Sequence, residues 1–121
     1  MKRAKVTIIT SDVARLRRFY EHVIGLSPVG DERYIEFHAP GMTLAIANHG
    51  RIEATAPGAT APASNRSAVF DFEVEDVDHE RSRLAGLVEE FVLEPTTQPW
   101  GSRSMMFRDP DGNLVNFFTR S

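Results

Sequence analysis

Cysteine is absent from the 121 residues, which excludes a disulfide framework, a thiolate nucleophile and a Cys-based zinc or iron–sulfur site. Any metal would have to rest on His and carboxylates. Long hydrophobic runs are missing too: the apolar stretches reach four or five residues, far short of the roughly 18 to 20 that a membrane span requires. The opening MKRAKVTIITSD holds no secretory h-region, so a cytoplasmic protein with no membrane partner is expected. A basic stripe is also lacking. The 14 Lys and Arg against 17 Asp and Glu give a net charge of −3, which argues against nucleic acid as a partner.

What is present is an ordinary globular composition, 41% hydrophobic and 26% charged. The length suits one compact domain or two very small halves sharing a core. Charge is spread unevenly: residues 1–53 hold eight basic and six acidic side chains, residues 54–121 six and eleven. The acids gather at Asp71, Glu73, Glu75, Asp76, Asp78 and Glu80. A helix N-terminus accounts for Asp76, Asp78 and Glu80, but not for Asp71 and Glu73.

The stretch IEATAPGATAPASN between Arg51 and Arg66 has almost no large apolar side chain and cannot bury a core, so a linker or flap is expected over 51–66. It divides the chain into module 1, about 1–50, and module 2, about 67–121, which repeat one pattern. In front, Val6 and Ile8 alternate with Lys5 and Thr7, then Asp12 caps a helix carrying Leu16, Phe19, Tyr20, Val23 and Ile24 until Gly25 ends it. Behind, Phe70, Phe72 and Val74 alternate with Val69, Asp71 and Glu73, then Asp76 caps a helix with Val77, Leu84 and Leu87. Extended segments follow in both: Val29, 34–38 and 42–48 in front, 89–93, 103–108 and 114–119 behind. The turns are 38–41 and Asp109-Pro110-Asp111-Gly112-Asn113. The order is strand, helix, three strands, twice. One sheet face should pack under the helices, and the other should be mixed in polarity, as a binding cleft is.

A doubled chain of this kind resembles the glyoxalase, bleomycin resistance and extradiol dioxygenase superfamily, also called vicinal oxygen chelate proteins. The resemblance rests on the front helix from Asp12 to Tyr20 with Gly25-Leu26, on Phe72-Glu73-Val74-Glu75-Asp76-Val77, and on the run from Pro99-Trp100-Gly101 to Asp109-Pro110-Asp111-Gly112-Asn113. The stretch from Gln98 through Arg108-Asp109-Pro110 is similar to bleomycin resistance proteins. The resemblance implies an α+β fold in which two βαβββ modules form a curved mixed sheet around a cleft, with helices on the outer face, in one domain completed as a homodimer.

In metal-dependent members of such a family, four side chains from the first and last strand of each half hold a divalent ion. The matching positions here are Lys5, Val69, Ala45 and Asn116. Val and Ala have no donor atom, Lys brings a competing cation and Asn a neutral oxygen, so neither metal nor cofactor is expected. The four histidines, His22, His38, His49 and His79, form no pair at ligand spacing. His49, at the end of a cleft strand, is the one placed to tip inward.

A cleft for an organic ligand remains. Trp100, Phe37, Met106 and Phe118 offer flat or polarizable surfaces for stacking, with core packing as the alternative role. Val69 and Asn116 lie on the same face. Asp71 and Glu73 suit a cationic group, Lys5 and Arg108 an anionic one, unless these charges only pair across strands. The expectation is a metal-independent protein that sequesters a flat, often cationic small molecule of the antibiotic type. The rivals are a superfamily enzyme (isomerase, lyase or dioxygenase) with a non-standard site, and an accessory domain with a vestigial cleft.

Overall fold

A computed structural model describes residues 1–120 of the chain. They form two compact units, divided between Ser64 and Asn65. Unit 1 begins with strand β1 (Lys5–Thr10), helix α1 (Val13–Ile24), and strands β2 (Val29–Gly30), β3 (Tyr34–Ala39) and β4 (Met42–Asn48). Asp12 starts α1 as anticipated, its carboxylate accepting from Arg15 N at 3.1 Å, and Gly25 ends it in the left-handed conformation with its N–H on Glu21 O. The sheet order is β1-β4-β3-β2. β1 runs parallel to β4, and β3 and β4 form an antiparallel hairpin.

Strand alternation sends Ile8, Ile35, Phe37, Leu44 and Ile46 to the face covered by α1, whose Val13, Leu16, Tyr20 and Val23 are buried. The Tyr20 and Phe37 rings meet there at 6.5 Å between centroids. Gly30, at φ +132°, approaches β3 so closely that a Cβ would collide with the Tyr34 carbonyl oxygen. Only glycine fits that position.

Unit 2 repeats the pattern with β5 (Val69–Glu73), α3 (Val77–Leu84), β6 (Phe91–Thr97), β7 (Arg103–Arg108) and β8 (Leu114–Phe118). The sheet order is β5-β8-β7-β6, with β5 parallel to β8. Asp76 caps α3 through His79 N at 3.0 Å. Phe70, Val77, Leu84, Met105, Phe107, Val115 and Phe117 make the core, with the Phe107 and Phe117 rings edge to face at 5.2 Å. The 109–113 turn is held from within. Buried Asp109 accepts from Asp111 N and Asn113 N, both at 2.9 Å, and from Asn113 Nδ2 at 2.8 Å.

The fold is thus α+β, two βαβββ modules each with a four-stranded mixed sheet. One element departs from expectation. The segment read as a linker from residue 51 begins inside a further helix, α2 (His49–Thr55). It buries no residue, so it carries none of the apolar periodicity by which helices are recognised. Local bonds hold it instead: Asn48 Oδ1 accepts from Gly50 N at 2.9 Å, and His49 Nε2 faces Glu53 Oε2 at 3.4 Å. Nor does α2 share the face of α1. Its Arg51, Ile52 and Thr55 stand with Lys5, Thr7, Ile9 and Ala47, on the alternate residues of β1 and β4.

Candidate functional site

The open face of the first sheet carries Lys5, Thr7 and Ile9 from β1, Tyr34 and Glu36 from β3, and Ala47 from β4. With Arg51, Ile52 and Thr55 of α2 and with Thr60, these line an open cavity of about 650 Å³, within the size range of small-molecule sites. A small floor residue, Ala47, leaves that volume free. Inside, Lys5 Nζ donates to the Tyr34 hydroxyl at 2.6 Å, and that hydroxyl donates to Glu36 Oε2 at 2.6 Å. Lys5 and Glu36 lie 3.6 Å apart, and His38 Nε2 faces Glu36 Oε1 at 3.2 Å. The Arg51 guanidinium stacks over the Tyr34 ring, 4.1 Å from its centroid.

This network moves the ionisable groups apart. The Tyr34 hydrogen bond, helped by the positive charge of Lys5, holds the Glu36 carboxyl below the usual carboxylate range. The same hydroxyl, together with Glu36, raises Lys5 above the usual ammonium value. Glu36 is therefore a fixed anion and Lys5 a fixed cation at neutral pH. Tyr34, Glu36, Arg51 and Thr60 were not among the expected site residues. The only signal for Glu36 was strand alternation from Phe37, and α2 left none.

Phe37 itself is a correction. It is 0% exposed and packs against Tyr20 on the α1 side, because its neighbour Glu36 takes the open face. His49 lines no part of the cavity among its described walls. Its Nε2 faces Thr60 O at 3.2 Å, tying α2 to the loop that follows.

Seven expected residues share the open face of the second sheet: Val69, Asp71 and Glu73 on β5, Met106 and Arg108 on β7, Asn116 and Phe118 on β8. The pairings Asp71–Asn116, Glu73–Phe118 and Met106–Asn116 bring them side by side. Their charges are engaged. Asn116 Nδ2 donates to Asp71 Oδ1 at 2.8 Å, Arg120 pairs with Glu73 at 3.1 Å, and Arg108 turns back onto Gly112 O at 3.1 Å. Trp100 stands apart from that face in the β6–β7 turn, 70% exposed.

The four positions expected to correspond to metal ligands do not sit in opposed pairs. Lys5 lies across from Thr43 and Val69 across from Leu114, whereas Ala45 is opposite Thr7 and Asn116 opposite Asp71. Counting these neighbours adds one carboxylate to the donor set. Among the described residues no group of three or more His, Asp or Glu could hold a metal ion. These donors do not fit a divalent centre.

Comparison with known proteins bears directly on this arrangement. The profile of the Glyoxalase/Bleomycin resistance protein/Dioxygenase superfamily matches residues 2–117. The chain belongs to that superfamily. Among solved structures, a glyoxalase-related enzyme from Fulvimarina pelagi superposes with a TM-score of 0.83 at 19% identity, over 99% of this chain and 88% of its own. A glyoxalase/bleomycin resistance protein/dioxygenase family enzyme from Burkholderia phytofirmans PsJN gives 0.85 at 16% identity, over 95% of each chain. A protein of unknown function from Agrobacterium tumefaciens str. C58 gives 0.83 at 26% identity, over 100% of this chain and 95% of its own. No curated protein sequence matches. At these identities the superfamily structures speak for the fold. No helix among the described residues is long and apolar enough to cross a membrane.

Proposed function

We propose that this superfamily member binds a small organic molecule in the α2-roofed cavity and holds it without chemical change, as a metal-independent sequestering protein in the manner of bleomycin resistance proteins. The observation that carries the reading is the Lys5–Tyr34–Glu36 chain. A general acid or base works best with a pKa near the operating pH, and tuning toward neutrality marks catalytic groups. Here Lys5 is raised and Glu36 lowered, both away from it. Such a network orients a ligand and rigidifies its site. An enzyme of the superfamily is the rival, and it would need a proton-transfer group that this pair does not supply.

The test is recovery of the bound molecule. A small-molecule extract is passed over the immobilised protein, and the retained compounds are released by denaturation and weighed by mass spectrometry. Retained compounds should keep the mass and the chromatographic retention time they had in the extract, and Thr7→Trp, which fills the cavity, should abolish retention. A retained species with an altered mass or, at equal mass, an altered retention time, formed by wild type and lost in Glu36→Gln, would establish the enzyme reading instead.

A further inference from the structure

The charged groups of the cavity are not equally occupied. Glu36 accepts from Tyr34 and faces both Lys5 and His38, so its charge is balanced. Lys5 donates to Tyr34 and lies beside Glu36. Arg51 differs: its guanidinium is stacked on the Tyr34 ring at 4.1 Å, yet among the described residues it donates no hydrogen bond and forms no ion pair. Asp31 is the carboxylate near enough to feel it. Its Oδ1 accepts from Arg33 N at 2.8 Å and Tyr34 N at 3.1 Å, which ties it into the turn before β3. A guanidinium held over a ring without other partners keeps its N–H donors for a ligand, and its planar fork can meet a carboxylate or phosphate through two parallel bonds. A second cation lines the same cavity: Lys5 Nζ lies over the same Tyr34 ring, 5.1 Å from its centroid, and its ammonium keeps N–H donors beyond the one given to the Tyr34 hydroxyl.

We propose that Arg51 and Lys5 form an anion subsite of this cavity, which takes the carboxylate or phosphonate end of a small organic acid while Ile9, Ala47 and Ile52 receive its apolar part. With Lys5 and Arg51 against Glu36, the lining carries one net positive charge, in a chain whose net charge is −3. The inference rests on the proposal that the cavity is the binding site and names the ligand class for it.

The experiment is an NMR titration of the full chain with four probes on one ring: benzoate, phenylphosphonate, benzamide and benzylamine. Benzoate or phenylphosphonate should saturate shifts at β1 and α2 and bind more tightly than benzamide, with benzylamine weakest. Which of the two binds more tightly distinguishes a carboxylic from a phosphorylated source. Arg51→Gln, at an exposed position, should weaken the anions about fivefold and leave benzamide unchanged, a loss suited to a partly exposed charged hydrogen bond. Unaltered anion affinity in Arg51→Gln, with binding still abolished by Thr7→Trp, overturns the subsite and leaves the cavity standing. Benzylamine binding as tightly as benzoate also overturns the subsite. No saturable shift at β1 or α2 with any probe overturns the cavity itself as the site.

Discussion

Glu36 shows how one residue sets the chemistry of a face. Its carboxyl lies below its ordinary value of 4.5, first through the Tyr34 hydroxyl and then through Lys5. A carboxyl lowered in the folded state adds stability above its unfolded pKa and loses it as pH falls through the folded value. Lys5 has the opposite sign: its raised pKa adds stability that is present at neutral pH and is lost only above its ordinary 10.5. Glu36→Gln should therefore lower the melting temperature more at about pH 7 than at about pH 3, because the wild-type carboxyl loses its charge as pH falls through its lowered folded value. Melts by circular dichroism at both values check this. An equal deficit at the two pH values would mean that packing, not charge, is what the substitution removes. The expected preference for a cation rested on Asp71 and Glu73, whose acidity the sequence displays but whose partners, Asn116 and Arg120, it does not. Partners 45 and 47 residues away become visible only with the register of β5 against β8.

Elements that bury a face were legible, and those that do not were not. Asp12 with Gly25, Asp76 with Val77 and Leu84, and the 109–113 turn announce themselves by capping, periodicity and turn chemistry, and each stands where those signals put it. Helix α2 was missed because it buries nothing, and with it went the roof of the cavity, Arg51 and Ile52. Phe37 was misassigned because period two alone does not say which of two neighbours faces inward. That depends on which side α1 covers. The short β2 strand carries its own constraint at Gly30, where a positive φ coincides with an approach to the Tyr34 carbonyl that leaves no room for a Cβ. Gly30→Ala should cost about 2 kcal/mol or more of stability, read by urea unfolding, and should splay β2 from β3. A loss below about 0.5 kcal/mol, the scale of ordinary surface changes, would show that the backbone relaxes freely there.

At the scale of the whole molecule, each unit leaves its first strand, β1 or β5, at an edge of its sheet. Each of these strands bears an exposed valine, Val6 at 40% and Val69 at 44%. Natural proteins cover or blunt such edges, and we propose a homodimer that does so. Light scattering should give twice the chain mass of 13.6 kDa at micromolar concentration, and a value at the chain mass itself would refute the dimer. The central claim concerns the site: a superfamily fold whose donor positions do not suit a divalent ion, holding an organic ligand by shape and fixed charge. The measurement that reaches it most directly is calorimetric titration of the purified protein with benzoate, before and after exhaustive chelation, with metal content determined on the same samples. Binding of equal affinity in both, at well below one metal per chain, is the predicted result. About one zinc, iron, nickel or manganese per chain, with binding lost on chelation and restored by that metal, would contradict the account.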